Sequence, residues 1–108
     1  MPITEIYSDN TIPDKLTFDS SNGQQVLIVS GSMYNTGTDA TSNVAVSVDK
    51  KQVGTLKMCQ NGTARHLTFP ARLFPLQLAA GSHTLEFKKA GGVTSDVNDQ
   101  FNVVLIDM

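Results

Sequence analysis

The sequence predicts an all-β domain: an antiparallel two-sheet sandwich of jelly-roll type with about eight strands. Three observations carry this. Helix signals are nearly absent: Glu occurs only twice, and the best helical window, residues 71–80, holds Pro75 in its middle. A proline there removes an intrahelical hydrogen bond and clashes with the preceding turn. β-Branched residues fill the short apolar runs, which suits a pleated, half-buried surface. Gly, Asn, Asp and Ser clusters punctuate those runs as turns do.

Lys15-Leu16-Thr17-Phe18-Asp19 alternates polar and apolar and is closed by Ser20-Ser21-Asn22-Gly23. Residues 25–34 form a longer strand, and its Val26-Leu27-Ile28-Val29 run predicts a central position buried on both faces. Residues 35–42 are a polar loop. Residues 43–49 then alternate strictly, with Val44, Val46 and Val48 on one face and Ala45 and Ser47 on the other. Asp49-Lys50-Lys51-Gln52 predicts a hairpin, turning at Lys50-Lys51, into a strand over 52–59, although the preferred Asn-Gly or Asp-Gly is missing. Gln60-Asn61-Gly62-Thr63 is a turn into a strand over 65–69. Pro70 and Pro75 bracket an expected crossing between the sheets, with Phe74-Pro75-Leu76-Gln77-Leu78 as an edge strand. Ala79-Ala80-Gly81-Ser82 turns the chain into a strand over 83–88. A flexible stretch over 90–100 precedes the last strand, 101–106, which is expected to pair with the first.

With 108 residues, the chain matches the commonest domain size, so residues 1–108 read as one domain. Charged residues make up only 17% and the net charge is −2, which eases self-association. Lys50-Lys51 and Lys88-Lys89 are the only adjacent basic pairs, so no clustered footprint for nucleic acid is visible along the chain. Cys59 is the single cysteine; it cannot close an internal disulfide and reads as a buried, inert thiol. Met1-Pro2-Ile3-Thr4-Glu5 lacks the charged start and apolar run of a signal peptide, and no apolar stretch approaches the ~20 residues of a membrane span. The expectation is a soluble protein, cytoplasmic by default, or reaching a virion or cell surface by another route.

No catalytic motif stands out. Ser30-Gly31-Ser32 is not a Gly-x-Ser-x-Gly elbow, and Glu5 and Glu86 are far apart for paired-carboxylate chemistry. His66 and His83 read as hydrogen-bonding partners rather than zinc ligands, since Cys59 is the only obvious third ligand. Asn61-Gly62-Thr63 matches a glycosylation sequon by chance in a turn. Asp96-Val97-Asn98-Asp99 reads first as a turn. Together with Asp39 it offers oxygens that calcium could use, leaving calcium open as an ion while no cofactor is expected. Tyr34 ends a strand and opens the polar loop Asn35-Thr36-Gly37-Thr38-Asp39, so it could stack on a ligand beside hydrogen-bonding side chains.

The element order supports a resemblance. Ser30-Gly31-Ser32-Met33-Tyr34, then Val44-Ala45-Val46-Ser47-Val48, Val53-Gly54-Thr55, Leu76 through Leu85 with its Ala79-Ala80-Gly81 turn, and Asn98-Asp99-Gln100-Phe101-Asn102-Val103 follow one another. Over residues 15–106 this resembles small jelly-roll domains of the C1q and tumour-necrosis-factor class, including phage-fibre and bacterial surface heads. Carbohydrate-binding sandwiches share the same turn pattern. The resemblance implies a homo-oligomer, a trimer in that class. The functional expectation is a non-catalytic module binding a glycan or surface receptor through Tyr34, Asn35, Asp39, Asp96, Asn98 and Asp99. The alternative is a structural assembly or virion/fibre component without a small-molecule ligand.

Overall fold

The period-two patterning folds into strands whose alternate side chains meet between two sheets. A computed structural model describes residues 1–108. Nine strands are present: β1 (Ile3–Asp9), β2 (Lys15–Ser20), β3 (Gly23–Asn35), β4 (Thr41–Val48), β5 (Lys51–Cys59), β6 (Leu67–Leu78), β7 (Gly81–Lys89), β8 (Val93–Thr94) and β9 (Phe101–Asp107). One sheet runs β1-β9-β3-β6, with β8 attached to the end of β3, and the other runs β2-β7-β4-β5. Every pairing is antiparallel. The all-β, two-sheet prediction holds.

Nineteen buried apolar residues form the core between the sheets. Leu27, Val29 and Met33 of β3 and Val103 and Leu105 of β9 face Val44, Val46, Leu56 and Leu85 from the opposite layer. Phe101 sits at the centre, edge-on to Phe87 at 5.0 Å and tilted against Phe69 at 5.9 Å. Removing such a ring costs about 3–5 kcal/mol, because the surrounding side chains cannot fill the void.

β3 lies between β9 and β6, as its central placement required. Its burial on both faces does not hold. Leu27 and Val29 are buried, whereas Val26 and Ile28 are half-buried on the outer face, because a two-layer sandwich covers only the inner side of each sheet. The β4–β5 hairpin turns one residue earlier than Lys50-Lys51: Val48 pairs Lys51. Asp49 and Lys50 carry φ of 49° and 68°, the left-handed pair that a two-residue hairpin demands.

Three further differences have physical causes. The expected crossing at Pro70 is instead one continuous edge strand, β6, paired only with β3. Prolines are tolerated there because an edge leaves one row of N–H groups unpaired. β1 has no clean alternation in the sequence because its register shifts between Glu5 and Tyr7, so its apolar residues are unevenly spaced. The last strand accordingly pairs with β1, while the strand beginning at Lys15 pairs with β7. Residues 90–100 are not an open stretch: they contain β8 and a turn closed by the Asp99 N–H donating to the Asp96 carbonyl at 2.9 Å. Cys59 is exposed rather than buried, since it points outward next to the inward-facing Met58. No helix is long and apolar enough to cross a membrane.

Candidate functional site

The C-terminal end of β3 collects the polar loops. Tyr34 and Asn35 pair Thr94 and Val93 of β8 on one side, and Met33 pairs Leu67 at the start of β6 on the other. That register sets His66, the residue before β6, beside Tyr34. Their rings lie 4.3 Å apart with a 45° tilt.

Asp99 organises the cluster. Its side chain is fully inaccessible, and it accepts from the Ser32 hydroxyl at 2.8 Å and the Asp96 N–H at 2.9 Å. His66 Nδ1 lies 3.0 Å from both its oxygens. A buried carboxylate is tolerable only when donors replace its water shell, and here they do. With Nδ1 committed to Asp99, the outer nitrogen, Nε2, faces Asp96 Oδ2 at 3.8 Å. Asp96 is half-exposed, and its other oxygen accepts from the Asn98 N–H at 2.8 Å.

Gly31 makes this placement possible. Its φ is 150°, and a Cβ there would collide with the Gln100 carbonyl oxygen. The close approach lets Ser32 N–H donate to the Gln100 carbonyl at 2.8 Å, which carries the 95–100 loop across β3 and delivers Asp99 to His66.

The neighbouring loops are tied through two buried amides. The Asn35 N–H donates to Gln60 Oε1 at 3.1 Å, and Gln60 Nε2 donates to the Asn35 and Gly37 carbonyls at 2.9 Å each. Asn35 Nδ2 donates to Ser42 Oγ at 3.2 Å, while its Oδ1 accepts from the Gly37 N–H at 2.8 Å. Asp39, at φ 51°, accepts from the Gly62 N–H at 2.6 Å and donates its own N–H to the Gly62 carbonyl at 2.9 Å.

Of the six expected contact residues, Tyr34, Asp96 and Asp99 converge. Asn98 lies exposed at the tip of the Asp96–Asp99 turn. Asn35 is buried with its amide satisfied internally, so it frames the loops rather than facing solvent. Asp39 is exposed and pins one loop to the next. Sequence reading passed over His66 and Ser32 as site members. The available signal was register: once residues 25–34 are paired with the strand after His66, Tyr34 and His66 become cross-strand neighbours.

The wiring argues against hydrolysis. A nucleophilic triad needs the histidine between serine and carboxylate. Here Ser32 and His66 both converge on Asp99, and the serine proton already points at that carboxylate. None of the surface hollows is lined by this cluster. Ligand atoms of His66, Asp96 and Asp99 fall within 4.8 Å of one another. One imidazole nitrogen and two carboxylates suit a borderline transition metal better than calcium, which takes roughly six to eight oxygens.

No protein-family model matches the chain, and no curated protein matches it. Solved structures do. A family 35 carbohydrate-binding module from Clostridium thermocellum superposes with TM-score 0.55 at 13% identity, covering 100% of both chains. The CBM36-1 domain of a multidomain xylanase from the hindgut metagenome of Trinervitermes trinervoides gives 0.53 at 12% identity, covering 99% of this chain and 96% of that one. A beta-glucosidase from Paenibacillus barengoltzii gives 0.56 at 11% identity over 91% of this chain, which spans only 10% of the enzyme. At such identities the likeness is one of fold. The chain has the jelly-roll β-sandwich architecture of carbohydrate-binding modules. These structures carry the jelly-roll part of the sequence resemblance, not the C1q and tumour-necrosis-factor class specifically.

Proposed function

We propose that this chain is a non-catalytic module that binds a glycan, free or displayed on a surface receptor, at the loop end built around Tyr34. The observation that carries this reading is the joint placement of Tyr34, His66 and Asp96. A half-buried ring, fixed by a cross-strand neighbour, stands beside a half-exposed carboxylate that can accept from sugar hydroxyls. Asn98 and Asp39 extend the polar rim, and Asp99 holds His66 in place. A rigid sheet carrying polar loops is the arrangement on which recognition sites are commonly built, and the fold likeness to carbohydrate-binding modules supports it. The test is a glycan array followed by calorimetry on Tyr34→Ala. Binding independent of calcium, weakened about tenfold or more by the variant at unchanged melting temperature, is expected. An array without hits, with or without calcium, refutes the reading, as does a variant that binds like the parent.

A second reading, self-association as a structural unit, is favoured by one feature. On the outer face of the five-stranded sheet, Ile3, Ile106, Val26 and Pro75 lie in one cross-strand row, and Val104, Ile28 and Leu73 in the next. Leu73 is 60% and Ile3 64% exposed. Seven residues fall well short of the roughly 20–30 per side of a stable interface, so a second copy would seat there weakly. Light scattering across a concentration series detects it; a Leu73→Ser variant associating like the parent excludes this face.

A further inference from the structure

The six lysines look scattered along the chain, yet folding gathers all of them onto the four-stranded sheet. Lys15 lies on β2, Lys51 and Lys57 on β5, Lys88 and Lys89 on β7, and Lys50 in the β4–β5 turn. The strands of the other sheet carry no lysine at all. None of the six ammonium groups lies within 4.0 Å of a carboxylate; every such pair in the molecule uses a histidine. Unpaired cations concentrated on one sheet of a chain with net charge −2 form a local field that the overall charge conceals.

The outer face of that sheet is also shaped. Lys88, Ala45 and Thr55 form one cross-strand row, and Asn43 pairs Lys57 in the next. Small side chains on the central strand between longer ones on its neighbours leave a trough of about 340 Å³, lined by Asn43, Ala45, Thr55, Lys88, Lys89 and Ala90. With neighbouring strands ~4.8 Å apart, the walls stand about 10 Å from each other. Asn43 and Thr55 supply hydrogen-bonding groups, Lys88 and Lys89 line the β7 side, and Lys57, the cross-strand partner of Asn43 on β5, stands at the rim beyond the lining.

We infer that this trough is a second binding site, separate from the Tyr34 loops, for a glycan bearing carboxylate or sulfate groups. Hydroxyls meet Asn43 and Thr55, while the anionic substituents meet Lys57 and Lys88. Glu86, two positions along β7 from Lys88 and opposite Lys15 in the strand register, closes that end against anions and limits the footprint to a few sugar units. Three ammonium groups, those of Lys57, Lys88 and Lys89, are fewer than the phosphate contacts that nucleic-acid binding draws on.

The test is affinity electrophoresis and calorimetry of the whole chain with polygalacturonate, dextran sulfate and neutral dextran, at low and high salt. Binding of polygalacturonate assigns carboxylate recognition, and binding of dextran sulfate assigns sulfate recognition. Either is expected to weaken with added salt, to fall about tenfold or more in Lys57→Gln/Lys88→Gln, and to persist in Tyr34→Ala. Lys50→Asn/Lys51→Gln removes the same charge from the far end of the hairpin and is expected to bind within about twofold of the parent. The proposal is overturned if neither anionic polymer binds at low salt, or if neutral dextran or a DNA oligomer binds as well as they do. Equal losses in the two double variants would overturn it too, since that result means net charge rather than a site.

Discussion

His66 holds Nδ1 3.0 Å from both oxygens of Asp99, a carboxylate with no solvent access. The same carboxylate takes the Ser32 hydroxyl and the Asp96 backbone N–H. One side chain therefore fixes the end of β3, the residue before β6 and the turn before β9. Asp99→Ala strips three donors of their acceptor at once. The cost expected in urea unfolding is about 3 kcal/mol. Asp99→Asn, which keeps one acceptor oxygen, costs less. If Asp99→Ala unfolds at the parent's denaturant midpoint, the cluster is not holding the loops.

Gly31 offers a second check on the same geometry. Both Gly31 and Gly81 have φ in the region unfavourable to side chains, at 150° and 125°, but only Gly31 has backbone where a Cβ would sit. Gly31→Ala must push the Gln100 carbonyl away, whereas Gly81→Ala meets nothing within 4 Å. The Gly31 variant is expected to be about 2 kcal/mol less stable than the Gly81 variant. In a domain of this size that is roughly 10 °C in Tm. Equal melting temperatures would show that the loop yields freely.

Where burial and alternation coincide, the fold was legible in the residues. Val44, Val46 and Val48 declare β4, and all three are buried; Leu85 and Phe87 do the same for β7. The failures are local irregularities. A register shift hid β1, and two prolines disguised β6, whose outer edge has no partner to miss their N–H groups. Tyr34 and the Asp96–Asp99 turn stood out because each places polar groups at a strand end, although Asp and Asn there also build turns. His66 and Ser32 did not, since their roles exist only through pairing between segments 34 residues apart. The gathering of lysines on one sheet is hidden for the same reason. Lys57 and Lys88 lie on the two strands that flank β4, a relation that composition and neighbouring residues do not encode.

The donor set also makes a claim about calcium. Ligand binding to the folded state alone adds about 2.7 kcal/mol at a hundred times Kd. Roughly millimolar calcium would therefore reveal a ten-micromolar site as a clear rise in Tm. His66, Asp96 and Asp99 place a nitrogen among two carboxylates, and Asp99 is already saturated by three donors. Millimolar calcium and an excess of EDTA are each expected to leave Tm within about 1 °C of the untreated protein. A rise of several degrees with calcium, reversed by the chelator, would mean that the 95–100 loop reorganises around the ion.

His83 links stability to pH. Its Nδ1 lies 2.7 Å from Asp49 Oδ2 and its Nε2 2.8 Å from the Ala79 carbonyl, so both nitrogens face acceptors and the imidazolium satisfies both. The Asp49 bond raises the His83 pKa above its usual 6.5, against the opposing effect of burial, with the Ala79 carbonyl and the nearby Asp19 adding to the rise. Asp49 is lowered below 3.8, first by the Thr84 N–H and then by His83. Asp107 is lowered as well, first by the Ser21 N–H. A raised histidine stabilises fully below the unfolded value and loses that contribution as pH rises through its folded pKa. A lowered aspartate stabilises above its unfolded value and loses that contribution as pH falls through its folded pKa. All three contributions are therefore present together from about pH 4 to 6.5. Above that window the His83 contribution fades, and below it the two aspartate contributions do. In a melting series from about pH 5 to 9, the parent is expected to lose Tm above about pH 6.5, while His83→Gln melts lower at pH 5 and converges on the parent at the alkaline end. Two parallel curves would mean that the Asp49–His83 contact carries no proton-linked stability.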